Sequence, residues 1–144
     1  MIRKLLVIIF ISILVGCSIQ PHMEFKPIDG VGFGLDLSEF TSIELLDAEI
    51  MMYNRRGLIG SIKRVQVPEK NITAIEALKD GYLEASKGSK KPIIVDININ
   101  TYCFVVHTDN FSSIFVATRR SNDHWVVISI RKENYNSVIT SLKS

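Results

Sequence analysis

Residues 92–107, PIIVDININTYCFVVH, carry the pattern that decides the fold. Ile93, Val95, Ile97 and Ile99 alternate with Ile94, Asp96, Asn98 and Asn100, the period of two that a strand imposes on its side chains. Asn100-Thr101 reads as a two-residue turn, which makes Ile97 and Phe104 cross-strand neighbours. Tyr102, Phe104 and Val106 then share the core face with the isoleucines. Asp96, Asn98, Cys103, Val105 and His107 fall on the reverse.

Downstream, Ile114 to Arg119 and Trp125 to Arg131 read as two further strands joined by Arg120-Ser121-Asn122-Asp123. Tyr135, Val138, Ile139 and Leu142 stand at i, i+3, i+4 and i+7, the spacing of a short closing helix. Upstream, residues 69–87 read as a helix. Pro68 ends the preceding strand, Ile72, Ile75, Leu78 and Tyr82 form an apolar stripe, and Gly88 stands at the C-terminal end.

Residues 42–53, SIELLDAEIMMY, fit two patterns. A helix places Ile43, Leu46, Ile50 and Tyr53 on one face. A strand requires a bulge where Leu45 and Leu46 break the alternation. Asn54-Arg55-Arg56-Gly57, a tight turn with Gly at positive φ, and the apolar positions of Leu58 to Val67 favour a strand hairpin. The glycines of GVGFG, 30–34, lack the preceding strand and following helix of a dinucleotide site and read as a flexible turn. The expected architecture is α+β: an antiparallel meander of roughly six strands, order ββαββββα, with helices packed on one face.

The N-terminus sets a second boundary. Residues 1–17, MIRKLLVIIFISILVGC, open with Arg3 and Lys4, continue in an apolar run from Leu5 to Val15, and end on Gly16-Cys17. As a helix this run rises only about 20 Å, short of a bilayer core of about 30 Å. Charged start, apolar run and small residue are the build of a secretory signal. Leu14-Val15-Gly16-Cys17 resembles the lipobox of bacterial lipoproteins. That resemblance implies cleavage before Cys17, lipid on its thiol, and anchorage in the envelope membrane. Ser18, where enterobacterial lipoproteins retained in the inner membrane carry Asp, implies the periplasmic face of the outer membrane in a Gram-negative source. The division is then a signal peptide over 1–16, lipidated Cys17 and a flexible tether over 17–29, and one domain over 30–144.

Removing residues 1–16 takes Arg3 and Lys4 from the 17 basic side chains and none from the 15 acidic ones, so the remaining charges balance. Nucleic-acid binding loses its electrostatic basis, which is a clustered positive excess. Of the two cysteines, lipidation occupies Cys17 and leaves Cys103 as a lone thiol that reads as a small buried hydrophobe.

Catalytic signatures are not found in the sequence. Cys103 and His107 sit four apart on one strand, roughly 13 Å, too far for proton transfer. His124 with Asp123 supplies two adjacent residues, short of a metal site, and Ser112-Ser113 has no nucleophile elbow. No cofactor or metal is expected. Asp96, Asn98 and His107 are the candidate interaction face. The expected function is a non-catalytic interaction module, tethered to the membrane through Cys17 and binding another envelope protein as an inhibitor, immunity factor or assembly accessory. The alternative is a small-ligand binder or enzyme with a pocket between sheet and helices.

Overall fold

The computed structural model describes residues 22–36, 40–68 and 71–143, which form two antiparallel sheets and two helices. Strands β1 (His22–Ile28) and β2 (Val31–Asp36) make a separate hairpin. Strands β3 (Ser42–Leu46), β4 (Glu49–Asn54) and β5 (Gly57–Gln66) run as a meander into helix α1 (Ala74–Lys87). Then come β6 (Ile93–Ile94), β7 (Thr101–His107), β8 (Phe111–Thr118), β9 (His124–Arg131) and helix α2 (Lys132–Leu142). The seven-stranded sheet has the order β3-β4-β5-β9-β8-β7-β6, so the last strand closes the gap between two meanders.

The α+β class and antiparallel pairing agree with the sequence pattern; the layering is richer. The β1–β2 hairpin and α2 cover one face, where Phe25, Phe33 and Leu35 meet Val105, Ile114, Val126, Ile128 and Val138. Gly34 N–H donates to Ser141 Oγ at 3.0 Å, tying hairpin to helix. Helix α1 lies on the opposite face, where Ala74 and Leu78 pack on Phe104 and Ala117. The helices therefore sit on opposite faces rather than one. Strands β7 and β8 are apolar at both parities, so each face needs its own cover.

That double burial also corrects the register of residues 92–107. Ile94, not Ile97, is the partner of Phe104, and Ile93 faces Val105. The turn is built by Asn98, whose carbonyl accepts from Thr101 N–H at 3.1 Å and whose Oδ1 accepts from Asn100 N–H at 3.0 Å. The shift is odd, so it exchanges faces. Ile97 packs against the cluster that holds Cys103 and Val105, while Phe104 stacks on Phe115 at 4.5 Å under α1.

The flexible tether is corrected at residues 22–29. These residues form strand β1 and the turn into β2, and Phe25 and Ile28 are buried. GVGFG is not a flexible turn, since Val31, Phe33 and Leu35 point one way along β2 with glycines between. Cys17 and residues 1–21 lie outside the described residues.

Residues 42–53 are two strands, not one bulged strand. Asp47 and Ala48 both take positive φ, 45° and 66°, and so form the tight two-residue turn between β3 and β4. The next turn is as expected, with Gly57 at φ 113° and Asn54 Oδ1 accepting from Arg56 N–H at 2.8 Å. Beyond it, a bulge brings Gly60 so near β9 that a Cβ there would lie 2.5 Å from Ser129 O.

Helix α1 starts later than the apolar stripe suggests. Thr73 caps it, and Glu76 closes the box by accepting from Thr73 N–H at 2.8 Å. Those hydrogen bonds, the backbone one foremost, hold the Glu76 carboxyl below the usual carboxylate range. Helix α2 follows its expected stripe, with Val138 and Leu142 buried.

Candidate functional site

The polar face expected at Asp96, Asn98 and His107 does not assemble. Asp96 and Asn98 are exposed in the loop after β6, with Asn98 committed to its turn. His107 stays on β7, half-buried, with Nδ1 2.8 Å from Ser112 Oγ and its ring edge-on to Tyr135 at 5.0 Å. The odd positions of β7 face the hairpin and α2, so this side is core rather than solvated surface. His107 and Ser112 form the pairing of a base with a hydroxyl, yet Ser112 is 0% exposed and enclosed in the core. Cys103 is equally enclosed, and burial pushes its thiol up to about 12, the opposite of nucleophile activation.

A second polar cluster joins β5 to the β8–β9 turn. His124 Nδ1 lies 2.6 Å from Asp123 Oδ1 and 2.9 Å from Arg64 Nη2. One ring nitrogen serves one of these at a time: protonated it donates to Asp123, unprotonated it accepts from Arg64. The His124 hydrogen bond holds the Asp123 carboxyl below its ordinary value. A groove of about 490 Å³ runs beside this cluster past Gln66, Asn71 and Thr73. Thr73, which lines this groove, has its hydroxyl engaged in the helix cap. Among the described residues no group of three or more His, Cys, Asp or Glu is placed to hold a metal, and no helix is long and apolar enough to cross a membrane.

The feature that departs most from a closed globular surface is strand β3. It is an outermost strand of the seven-stranded sheet, and all five of its residues are exposed. Its inner edge is paired with β4, with Ile43 opposite Met52 and Leu45 opposite Ile50. Met52 is fully buried, and Ile43 and Leu45 continue its row outward past the end of the hairpin cover. Leu45 is 75% exposed and Leu46 53%. The outer edge presents every other N–H and C=O to solvent, the template on which an extended chain adds a strand. Five residues give such a partner about 17 Å of ladder.

The opposite edge is weaker. Strand β6 offers two residues, Ile93 and Ile94, and a very short edge strand is itself a protection against pairing. Leu83 is exposed on α1.

Sequence reasoning favoured strand for residues 42–53 but did not single out β3 as a site, because its exposure depends on where the covering layers stop. The helix cap was within reach of sequence reasoning, as Thr73 and Glu76 have the capping-box spacing just before an apolar run. Comparison of the chain with protein-family models, with curated proteins and with solved structures returns no match.

Proposed function

We propose that this chain is a lipid-anchored bacterial envelope protein acting as a non-catalytic protein-interaction module, an inhibitor, immunity factor or assembly accessory, that takes a partner strand on the outer edge of β3. The anchor rests on the sequence alone, on Leu14-Val15-Gly16-Cys17 behind a charged start and an apolar run. Two or more acyl chains hold a protein stably at a membrane where one does not. The observation that carries the interaction reading is the all-exposed, apolar edge strand β3, with Ile43, Leu45 and Leu46 open to water.

The test is photo-crosslinking in intact cells from a residue placed at Leu45, with Leu83 on α1, also exposed, as the control. A discrete adduct from position 45 and none from position 83 supports the reading. No adduct from 45, or the same adducts from both, overturns it. Metabolic labelling with a palmitate analogue tests the anchor separately, since Cys17→Ser abolishes the tag if Cys17 carries it.

A further inference from the structure

A polar cleft lies where the tip of the β1–β2 hairpin meets the loops at the end of β7 and β8. It measures about 230 Å³ and is lined by Asp29, Gly30, Asn98, Asn100, Thr118 and Arg120 among others. The hairpin tip supplies Asp29. The loop after β8 supplies Arg120, whose Cδ lies 3.9 Å from where a Gly30 Cβ would stand, so its stem rests against the turn. Asn98 Oδ1 is consumed by Asn100 N–H and by Thr101 Oγ1 at 2.8 Å, which leaves the Asn98 amide nitrogen as a donor.

Two features mark this cleft, whose Asp29 and Arg120 are both exposed. Asp29 and Arg120 line the same small volume, yet neither makes an ion pair or a side-chain hydrogen bond among the described residues. At the wall, Thr118 is 3% exposed and its Oγ1 has no hydrogen-bond partner in the protein. Such atoms are rare in native proteins, and each calls for an explanation.

Chemistry narrows what fits. The volume is below the roughly 300 Å³ at which drug-sized pockets begin, so the ligand has few heavy atoms. A simple anion suits Arg120 but meets the Asp29 carboxylate. A simple cation suits Asp29 but meets the guanidinium. Among the described residues no aromatic ring lines the cleft to stack on a sugar face. We infer that the cleft binds a small zwitterion of the class of a free α-amino acid, its carboxylate on Arg120 and the Asn98 amide, its ammonium on Asp29. A guanidinium and a carboxylate make paired, charge-assisted hydrogen bonds. One ligand then satisfies both charges that the protein leaves unpaired.

The test uses the full-length chain in detergent micelles, followed by backbone amide NMR during titration with L-alanine, acetate or methylammonium. L-alanine is expected to give saturable shifts at Gly30, Asn98, Thr101 and Arg120, with a dissociation constant in the millimolar range. Acetate and methylammonium are expected to bind at least about tenfold more weakly. Arg120→Gln and Asp29→Asn, each with an otherwise unchanged spectrum, should lose about tenfold or more in affinity, and Arg119→Gln, outside the cleft, should not. Absence of saturable shifts with L-alanine overturns the site. Acetate binding as tightly as L-alanine overturns the zwitterion, and variants that bind like wild type overturn the assigned residues.

Discussion

Strands β8 and β3 draw on similar residues and meet opposite fates. Strand β8, FSSIFVAT, lies between β7 and β9 with α2 and the hairpin on one face and α1 on the other. Ile114, Val116 and Ala117 are fully buried there. Strand β3, SIELL, has three apolar residues in five and buries none. The difference is position. Burial here follows where the covering layers reach, and the same apolar residues become core under cover and docking surface beyond it. A sheet whose cover ends before its last strand has a built-in place for a partner.

The largest way to break that comparison is to remove a cover. A chain beginning at Gly30 lacks β1, and with it Phe25 and Ile28 from the main core. Each such loss costs roughly 2–5 kcal/mol, and together they approach the about 5–15 kcal/mol that holds a small domain. Thermal melts by circular dichroism should show cooperative unfolding lost. A melting temperature within a few degrees of the longer chain would show that the hairpin is not a structural layer.

Next is the other cover. Phe104 is pinned between Phe115, stacked at 4.5 Å, and Tyr82 of α1, edge-on at 5.5 Å. Phe104→Ala should cost about 3–5 kcal/mol, read from the urea midpoint. A cost below about 1 kcal/mol would mean that α1 is loosely seated.

What was legible in the sequence follows the same line between local pattern and cover. The strands of residues 101–131 and helix α2 were readable because their periods are local. The faces of β7 were not, because Cys103, Phe104 and Val105 are consecutive and all buried, and a strand covered on both sides carries no in–out signal. Asn100-Thr101 looked like the turn, but Asn98 closes it with its own side chain, which slides the register by an odd step. A tether over 17–29 does not follow from residues 22–29, and Val31-Gly-Phe33-Gly-Leu35 carries the period of two that marks β2. Asp47-Ala48 gave no warning, since Ala at φ 66° is an unfavourable choice for such a turn. Of the expected interaction face, only Asn98 lines a candidate site, and there through a loop.

A smaller effect sharpens the description of the covered half. The Cys103 thiol is raised in the fold from 9.0 to about 12, by burial. Between those limits the unfolded chain releases this proton and the folded chain keeps it, so stability falls as pH rises through the window. The urea midpoint should therefore fall more steeply between about pH 9 and 11 in the wild type than in Cys103→Ala. Equal slopes would place the thiol in water.

The smallest expected effect on stability lies at the open edge. Leu45→Lys should shift unfolding by less than about 0.5 kcal/mol, because the side chain is already in solvent. The same change should abolish the adduct formed when the photo-reactive residue is placed at Ile43 on the same strand. A loss of several kcal/mol would mean that β3 is packed and unavailable.

Hydrogen–deuterium exchange, measured on the chain alone and on the chain captured with its crosslinked partner, tests the difference between the two strands most directly. Alone, the outward amides of Ser42–Leu46 should exchange at the fast end of the range while Phe111–Thr118 exchanges only through global unfolding. In the complex, β3 should become protected and β8 should not change. Slow exchange of β3 in the free chain, or a complex whose new protection lies elsewhere and leaves β3 fast, would contradict the account.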